Sequence, residues 1–157
     1  MALEEYMKKR NFAETSEPSA EIKNSSGSRI YVIQKHHASH LHYDLRLEFG
    51  GVLRSWALPK EPPQDDATKR LAVATEDHPV DYANFEGTIP AGHYGAGKVE
   101  IWDNGTFEPI EEAEARLLIS IHGKKLIGKY ALIKLKPTAQ YPGENNWLFF
   151  KTKEETK

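Results

Sequence analysis

The chain has 157 residues, a formal net charge of −2 and no cysteine, with 39% hydrophobic and 10% aromatic residues. That length holds one domain with a real core, no stretch approaches the roughly 18 apolar residues of a membrane helix, and the lack of cysteine excludes disulfides and thiolate metal sites. The charge excludes the basic excess by which proteins coat duplex nucleic acid, so any nucleic-acid partner would be gripped locally, at an end or at a few phosphates.

The N-terminal MALEEYMKKRNF has no apolar stretch behind its charges, which argues against a signal peptide and for a cytoplasmic location. Leu3 to Phe12 predicts a short helix, acidic early and basic late, as the helix dipole favours. The following ETSEPSAEIKNSSGS is Ser, Glu and Pro rich and reads as extended, flexible lead. The organisation expected is therefore an N-terminal segment over 1–28, one domain over 29–152 and a charged tail over 153–157.

From Arg29 strands dominate. Ile30 to His36 is one; Leu41 to Phe49 is the clearest, with Leu41, Tyr43, Leu45, Leu47 and Phe49 on one parity and His42, Asp44, Arg46 and Glu48 on the other. Gly50-Gly51 supplies a tight turn and Val52 to Leu58 returns as a hairpin arm. Leu71 to Thr75 predicts a short strand that Glu76 to Pro79 breaks, and the stretch from Asp81 to Pro90 reads as irregular. Ala91 to Gly97, AGHYGAG, is a glycine-punctuated loop, followed by a strand over Lys98 to Trp102 and a hairpin turn at Asp103-Asn104-Gly105-Thr106. Ile110 to Arg116 predicts one or two helical turns. Leu117 to Ile121 and Lys125 to Leu135 form a further hairpin, Pro137 to Asn145 a loop, and Trp147 to Lys151 the last strand. About eight short strands with regularly spaced turns predict an all-β barrel or sandwich. Trp56, Trp102 and Trp147 sit among aliphatic residues and are expected in the core.

The chemistry concentrates between Gln34 and Arg46. Residues i and i+2 of a strand project together, so His42 and Asp44 pair; Gln34 and His36 share a parity on the preceding strand, and if the two strands are neighbours His36 completes a set of two imidazoles and one carboxylate. Such a triad leaves coordination positions open, which catalysis needs. Arg46, next on that face, would direct its planar fork at a phosphate or carboxylate beside the metal. The bland alternative is a solvated polar strand face. His37 and His40 fall in the turn or on the opposite parity and are expected in solvent. His78, before Pro79, with Tyr82 four residues on, lies on a loop of the kind that delivers catalytic groups. His93 and His122 suggest no partner.

The stretches VIQKHHASHLHYDLRLEFGGVLRSWALPK, KRLAVATEDHPVDYANFEGTIPAGHYGAGKVEIWDNGTF and NWLFFKTK together resemble the 3'-phosphoesterase domain of bacterial DNA ligase D and its stand-alone archaeal and bacterial relatives, from Arg10 to about Lys151. The resemblance implies a compact β-barrel with its site in a surface groove. It also implies a manganese-dependent enzyme that removes a 3'-terminal ribonucleoside from a primer strand, and then the 3' phosphate, in end joining. Carried over by position, His36, His42 and Asp44 match the metal ligands; Arg46, His78 and Tyr82 match groups around the scissile phosphate; Gln34, Glu76 and Arg70 match further active-site residues. Arg10 and Glu17 match an Arg and a Glu that support activity. The expected partners are DNA or RNA-DNA primer-template 3' ends, with a separate ligase, polymerase and end-binding protein alongside. Two positions depart from the family: Asn11 stands where an Asp follows that Arg, and Ala91 where a Glu precedes the glycine. Neither touches the metal set, so the core reaction is still expected.

On the residues alone two other readings stay open. His-x-Asp with a distant His also describes ferrous oxygenases on jelly-roll barrels, whose third ligand would lie downstream at His78, His93 or His122. A module that binds nucleic-acid ends without turnover would show the same face.

Overall fold

The computed structural model describes residues 3–9 and 29–153. After a short helix, α1 (Glu4–Lys8), come β1 (Arg29–His37), β2 (Leu41–Phe49), β3 (Val52–Leu58) and β4 (Lys69–Pro79). A 3-10 turn over Val80–Asn84 leads to β5 (Gly87–Ile89), β6 (Gly97–Ala113), β7 (Arg116–His122), β8 (Ile127–Lys134) and β9 (Asn146–Lys151). Neighbours run in the order β1-β2-β3-β4-β9-β8-β7-β6, all antiparallel, and β6 returns to β1, closing an eight-stranded barrel with β5 appended beside the start of β6. The all-β barrel expected from strand spacing is the observed architecture. Among the described residues no helix is long and apolar enough to cross a membrane.

Strand alternation fills the barrel. The apolar parity of β2 points inward with Tyr31 and Ile33 of β1, and Leu45, Leu47, Trp56 and Phe149 are fully buried there. Trp56 meets Trp147 edge-on at 5.7 Å between centroids, and Tyr130 stacks on Phe149 at 5.1 Å. Each such side chain contributes about 1.5–3 kcal/mol through burial, so packed inner residues hold the barrel while the outer parity of the same strands is left for chemistry. Trp56 and Trp147 are core as expected, and Trp102 is partly buried against Tyr43.

A second apolar layer forms outside the wall. Tyr6 of α1, Val32, Leu53, Tyr82, Phe85, Ile89 and Val99 cluster there, so α1 and the segment after β4 lie against the outward faces of β1, β3 and β6. The acidic-to-basic order predicted for the helix is present, with Glu4 and Glu5 in its first turn and Lys8 in its last. Phe12, Arg10 and Glu17 lie outside the described residues.

Four local expectations are corrected. Asp103 to Thr106 is not a turn: β6 runs through it, because β1 lies along β6 from His37↔Lys98 to Arg29↔Phe107, with an irregularity where Ile33↔Asp103 gives way to Gln34↔Ile101. Gly105 is required for a different reason, since a Cβ there would stand 2.1 Å from the His122 carbonyl oxygen. Asp103 itself is buried, accepting hydrogen bonds from the Tyr31 hydroxyl at 2.8 Å and from the backbone N–H groups of Lys124, Lys125 and Leu126 at 2.9, 3.1 and 3.0 Å. Ile110 to Arg116 is not helical but the tip of the β6-β7 hairpin, where Glu111↔Leu118 and Glu112↔Leu117 pairing overrides helix-forming composition. Glu76 to Pro79 does not end a strand but belongs to β4. Gly87–Ile89, read as irregular, is β5.

Candidate functional site

Antiparallel pairing of β1 with β2 sets His36 opposite His42 and Gln34 opposite Asp44, all on the outward parity. The rings of His36 and His42 stand 4.7 Å apart, and Asp44 lies between them, Oδ2 at 3.6 Å from His36 Nδ1 and Oδ1 at 3.2 Å from His42 Nε2. One ligand atom from each of the three falls within 4.8 Å of the others. Strand register thus gathers on one face the two imidazoles and one carboxylate read from the sequence.

Their outer nitrogens decide the chemistry of the set. His36 Nε2 is 2.6 Å from the Gly95 carbonyl and His42 Nδ1 is 3.1 Å from the His40 carbonyl. Carbonyls only accept, so both of these nitrogens carry the proton, and the inner nitrogens, Nδ1 of His36 and Nε2 of His42, present lone pairs to the Asp44 carboxylate. Three electron-rich atoms converging beside the Arg46 guanidinium, 3.4 Å from Asp44 Oδ2, form a set that a further cation would satisfy, either a proton shared by an imidazole or a metal ion. The donor set of two imidazoles and a carboxylate suits a divalent transition metal. Burial by itself would raise the pKa of Asp44, but the Arg46 guanidinium and the two imidazoles outweigh it and hold the carboxyl far below its usual range. Burial would likewise lower His42, and the bonds to Asp44 and to the His40 carbonyl reverse that, raising it above the ordinary imidazole value.

Arg46 extends the row and is locked in place. Its Nε donates to Gln34 Oε1 at 2.6 Å, its NH1 to Ser55 Oγ at 2.9 Å, its NH2 lies 3.4 Å from Asp44 Oδ2, and the guanidinium carbon sits 4.8 Å over the Tyr82 ring. Gln34 in turn donates from Nε2 to the carbonyls of Tyr82 at 2.7 Å and Phe85 at 3.1 Å, tying the segment after β4 to β1. A bulge in β4 brings in His78: Ser55 pairs with Thr75 and Leu53 with His78, so that Glu76 and Asp77 of β4 stand opposite Arg54 alone. Nδ1 of His78 comes within 3.2 Å of Arg46 NH1 and 3.0 Å of the Glu76 carbonyl, and its ring meets Tyr82 edge-on at 4.7 Å.

These residues line one groove of about 330 Å³, bounded by His36, His42, Asp44, Arg46, Ala57, Glu76, His78, Tyr82, Tyr94 and Gly95. Of the described residues picked from the sequence, two are not among them: Gln34 is fully buried behind Arg46, and the Nε of Arg70 donates to the Glu61 carbonyl at 2.8 Å, bracing β4 against the preceding loop. His37 and His40 are exposed as expected, and His122 pairs with Glu108 at 3.0 Å. Sequence reading missed four contributors. Ser55 stands directly across from Arg46, and a lone Ser in VLRSWAL on the outward parity was a signal for it. Gly95 acts through a backbone carbonyl and gave none beyond its glycine-rich loop. Tyr6 packs edge-on against His78 at 5.0 Å and Tyr82 at 5.9 Å. Lys9 reaches Glu76 at 3.4 Å.

A family model described as the DNA ligase D 3'-phosphoesterase domain matches residues 34–134, the span that holds this groove. The chain belongs to that family. It is 46% identical over 159 residues to the multifunctional non-homologous end joining protein LigD of Pseudomonas aeruginosa, covering 97% of this chain and 19% of that protein. Against LigD of Mycolicibacterium smegmatis the identity is 43% over 162 residues, 96% of this chain and 20% of that protein. Against the LigD repair protein of Mycobacterium tuberculosis it is 45% over 137 residues, 84% and 18%. The chain therefore spans about a fifth of the length of the curated relatives it matches.

Proposed function

We propose that this member of the ligase D phosphoesterase family is a divalent-metal-dependent hydrolase that heals DNA 3' ends. It removes a 3'-terminal ribonucleoside from a primer-template by a phosphodiester step and then the 3' phosphate. Manganese is the proposed ion, and a separate ligase, polymerase and end-binding protein are the proposed partners in end joining. The observation that carries the reading is the pair of imidazole lone pairs aimed at Asp44, immediately beside an immobilised arginine fork in an open groove.

His36, His42 and Asp44 would hold a divalent ion, which would supply Lewis acidity toward a phosphate oxygen and toward water. Arg46, its Nε and NH1 engaged and its NH2 beside Asp44, lines the groove and would neutralise charge that builds on the phosphoryl oxygens. His78, its Nδ1 against the Glu76 carbonyl, and Tyr82 line the same groove and would border the phosphate there. Gln34 and Ser55 do not touch the phosphate; they fix the angle of the Arg46 fork. An open groove on an outer wall suits the end of a polymer better than an enclosed small molecule.

The test is a labelled primer-template ending in one ribonucleotide or in a 3' phosphate, incubated with and without manganese and resolved by gel. The expected result is stepwise conversion to a 3' hydroxyl only with the ion. Oxidation of an organic substrate dependent on iron and 2-oxoglutarate, or tight binding without turnover, would replace the reading.

A further inference from the structure

Tyr94 has no part in the groove chemistry described so far. At 49% it is the only exposed aromatic side chain among the described residues, whereas Tyr6 and Tyr82 beside it are buried. Its position is fixed rather than loose. It lies between Gly92 and Gly95, whose φ angles of 89° and 75° need glycine, and the turn is closed by the bonds from His93 N–H to the Pro90 carbonyl and from Ala96 N–H to the His93 carbonyl. Next to it Gly95 holds His36, and Gly97 lies against β1 so closely that a Cβ would stand 2.1 Å from the His37 carbonyl oxygen. The loop thus carries Tyr94 in register with the metal set.

Two hollows meet at this ring. Tyr94, Thr75 and Glu76 belong both to the metal groove and to a neighbouring cavity of about 590 Å³ lined further by Glu4, Glu5, Lys9, Asp77 and Asn145. Four of those residues are acidic when Glu76 is included, so the neighbouring cavity repels a phosphate backbone and favours a neutral surface. Lys9 places its ammonium 4.4 Å from the Tyr94 ring centre and 3.3 Å from its hydroxyl, setting a cation at the hydroxyl end of one face and leaving half the residue open. An aromatic plate with a cation behind it, at the mouth of a phosphate groove and facing an anion-repelling hollow, has the attributes of a base-stacking platform.

We infer that Tyr94 stacks on the nucleobase adjoining the scissile phosphate, so that a 3' end is recognised by base plane and phosphate together, without preference for base identity. This rests on the end-healing function proposed above. The stacking contributes to binding of either substrate, because the nucleoside on the 5' side of the phosphate is common to both steps.

The experiment compares two primer-templates with a 3' phosphate, one whose last nucleoside carries adenine and one in which that position is an abasic tetrahydrofuran. For the unaltered protein kcat/KM is expected to favour the adenine end by roughly 5- to 150-fold, the range of one stacked base, mainly through KM. Tyr94→Ala abolishes that ratio and Tyr94→Phe keeps it. Dissociation constants for the same two ends, measured by fluorescence anisotropy without metal, must follow the same pattern. A preference that survives in Tyr94→Ala, or is absent from the unaltered protein, overturns the inference, as does an equal loss on both ends, which a displaced loop at His36 would give. If the unaltered protein binds both ends but turns over neither, the end-healing function fails while the anisotropy ratio still decides the stacking.

Discussion

Replacing His42 by alanine tests the cation requirement without relying on turnover. In the unaltered protein, manganese at about 100 times its dissociation constant stabilises the fold by about 2.7 kcal/mol, which for a domain of this size raises Tm by roughly 5 to 11 °C. The proposed set has three ligands, and His42 Nε2 at 3.2 Å from Asp44 makes the shorter of the two imidazole approaches. A variant whose dissociation constant rises about 100-fold keeps only about 0.4 kcal/mol at the same concentration, so its Tm shift shrinks to within a degree or two. The assay is thermal unfolding of chelator-treated protein with stepwise added manganese, alongside His40→Ala, whose exposed side chain leaves the His40 carbonyl that orients His42 in place. His42→Ala showing the full shift would mean that the ion binds elsewhere, and the assignment of His36, His42 and Asp44 as ligands would be refuted.

Metal binding should also weaken in acid. The pKa of His42 is raised, so in the metal-free protein its protonated contact with Asp44 adds stability that is complete below the ordinary imidazole value and lost as pH rises through the raised one; manganese must displace that proton, and the Tm gap between loaded and chelated protein should widen as pH is raised from about 5 to 8. Asp103→Asn should cost about 3–5 kcal/mol in urea unfolding at neutral pH, because an amide cannot accept from all four donors around it. Burial alone would raise the Asp103 carboxyl, but the Leu126 N–H and the other donors depress it; its contribution is therefore present above the usual carboxylate range and lost as pH falls through the depressed value, and the gap between variant and parent should close in acid. Gly97→Ala, with φ at 133° and a Cβ 2.1 Å from the His37 carbonyl oxygen, should cost at least about 2 kcal/mol and weaken manganese binding by displacing the loop that holds His36. Ser55→Ala should lower kcat on a 3'-phosphate primer by roughly 10-fold with little change in metal-induced Tm shift, since it frees the Arg46 fork and leaves His36, His42 and Asp44 alone.

Where local pattern and packing agreed, the sequence could be read directly. The alternation along Leu41 to Phe49 has one solution, apolar in and ionisable out, and antiparallel pairing with Ile30 to His36 then leaves His36, His42 and Asp44 on one face. What could not be read depended on contacts distant along the chain. Asn104-Gly105 carries turn chemistry, yet a strand from the start of the domain lies beside it and the glycine serves a close approach to His122. Glu111 and Glu112 favour helix in isolation and lie in a hairpin arm because β7 pairs with them. Tyr6 approaches His78 and Tyr82 from the other end of the chain, and Gly95 contributes only a carbonyl, which no side-chain pattern encodes.

The outward placement of the ionisable row separates two demands that many enzymes must reconcile in one pocket. Along β2, Leu45 and Leu47 hold the barrel shut while Asp44 and Arg46, one bond away on either side, face the groove. Evolution can therefore retune reactivity and robustness at alternate positions of a single segment, and a substitution scan along it would read out as a two-beat rhythm, melting temperature moving on one beat and turnover on the next.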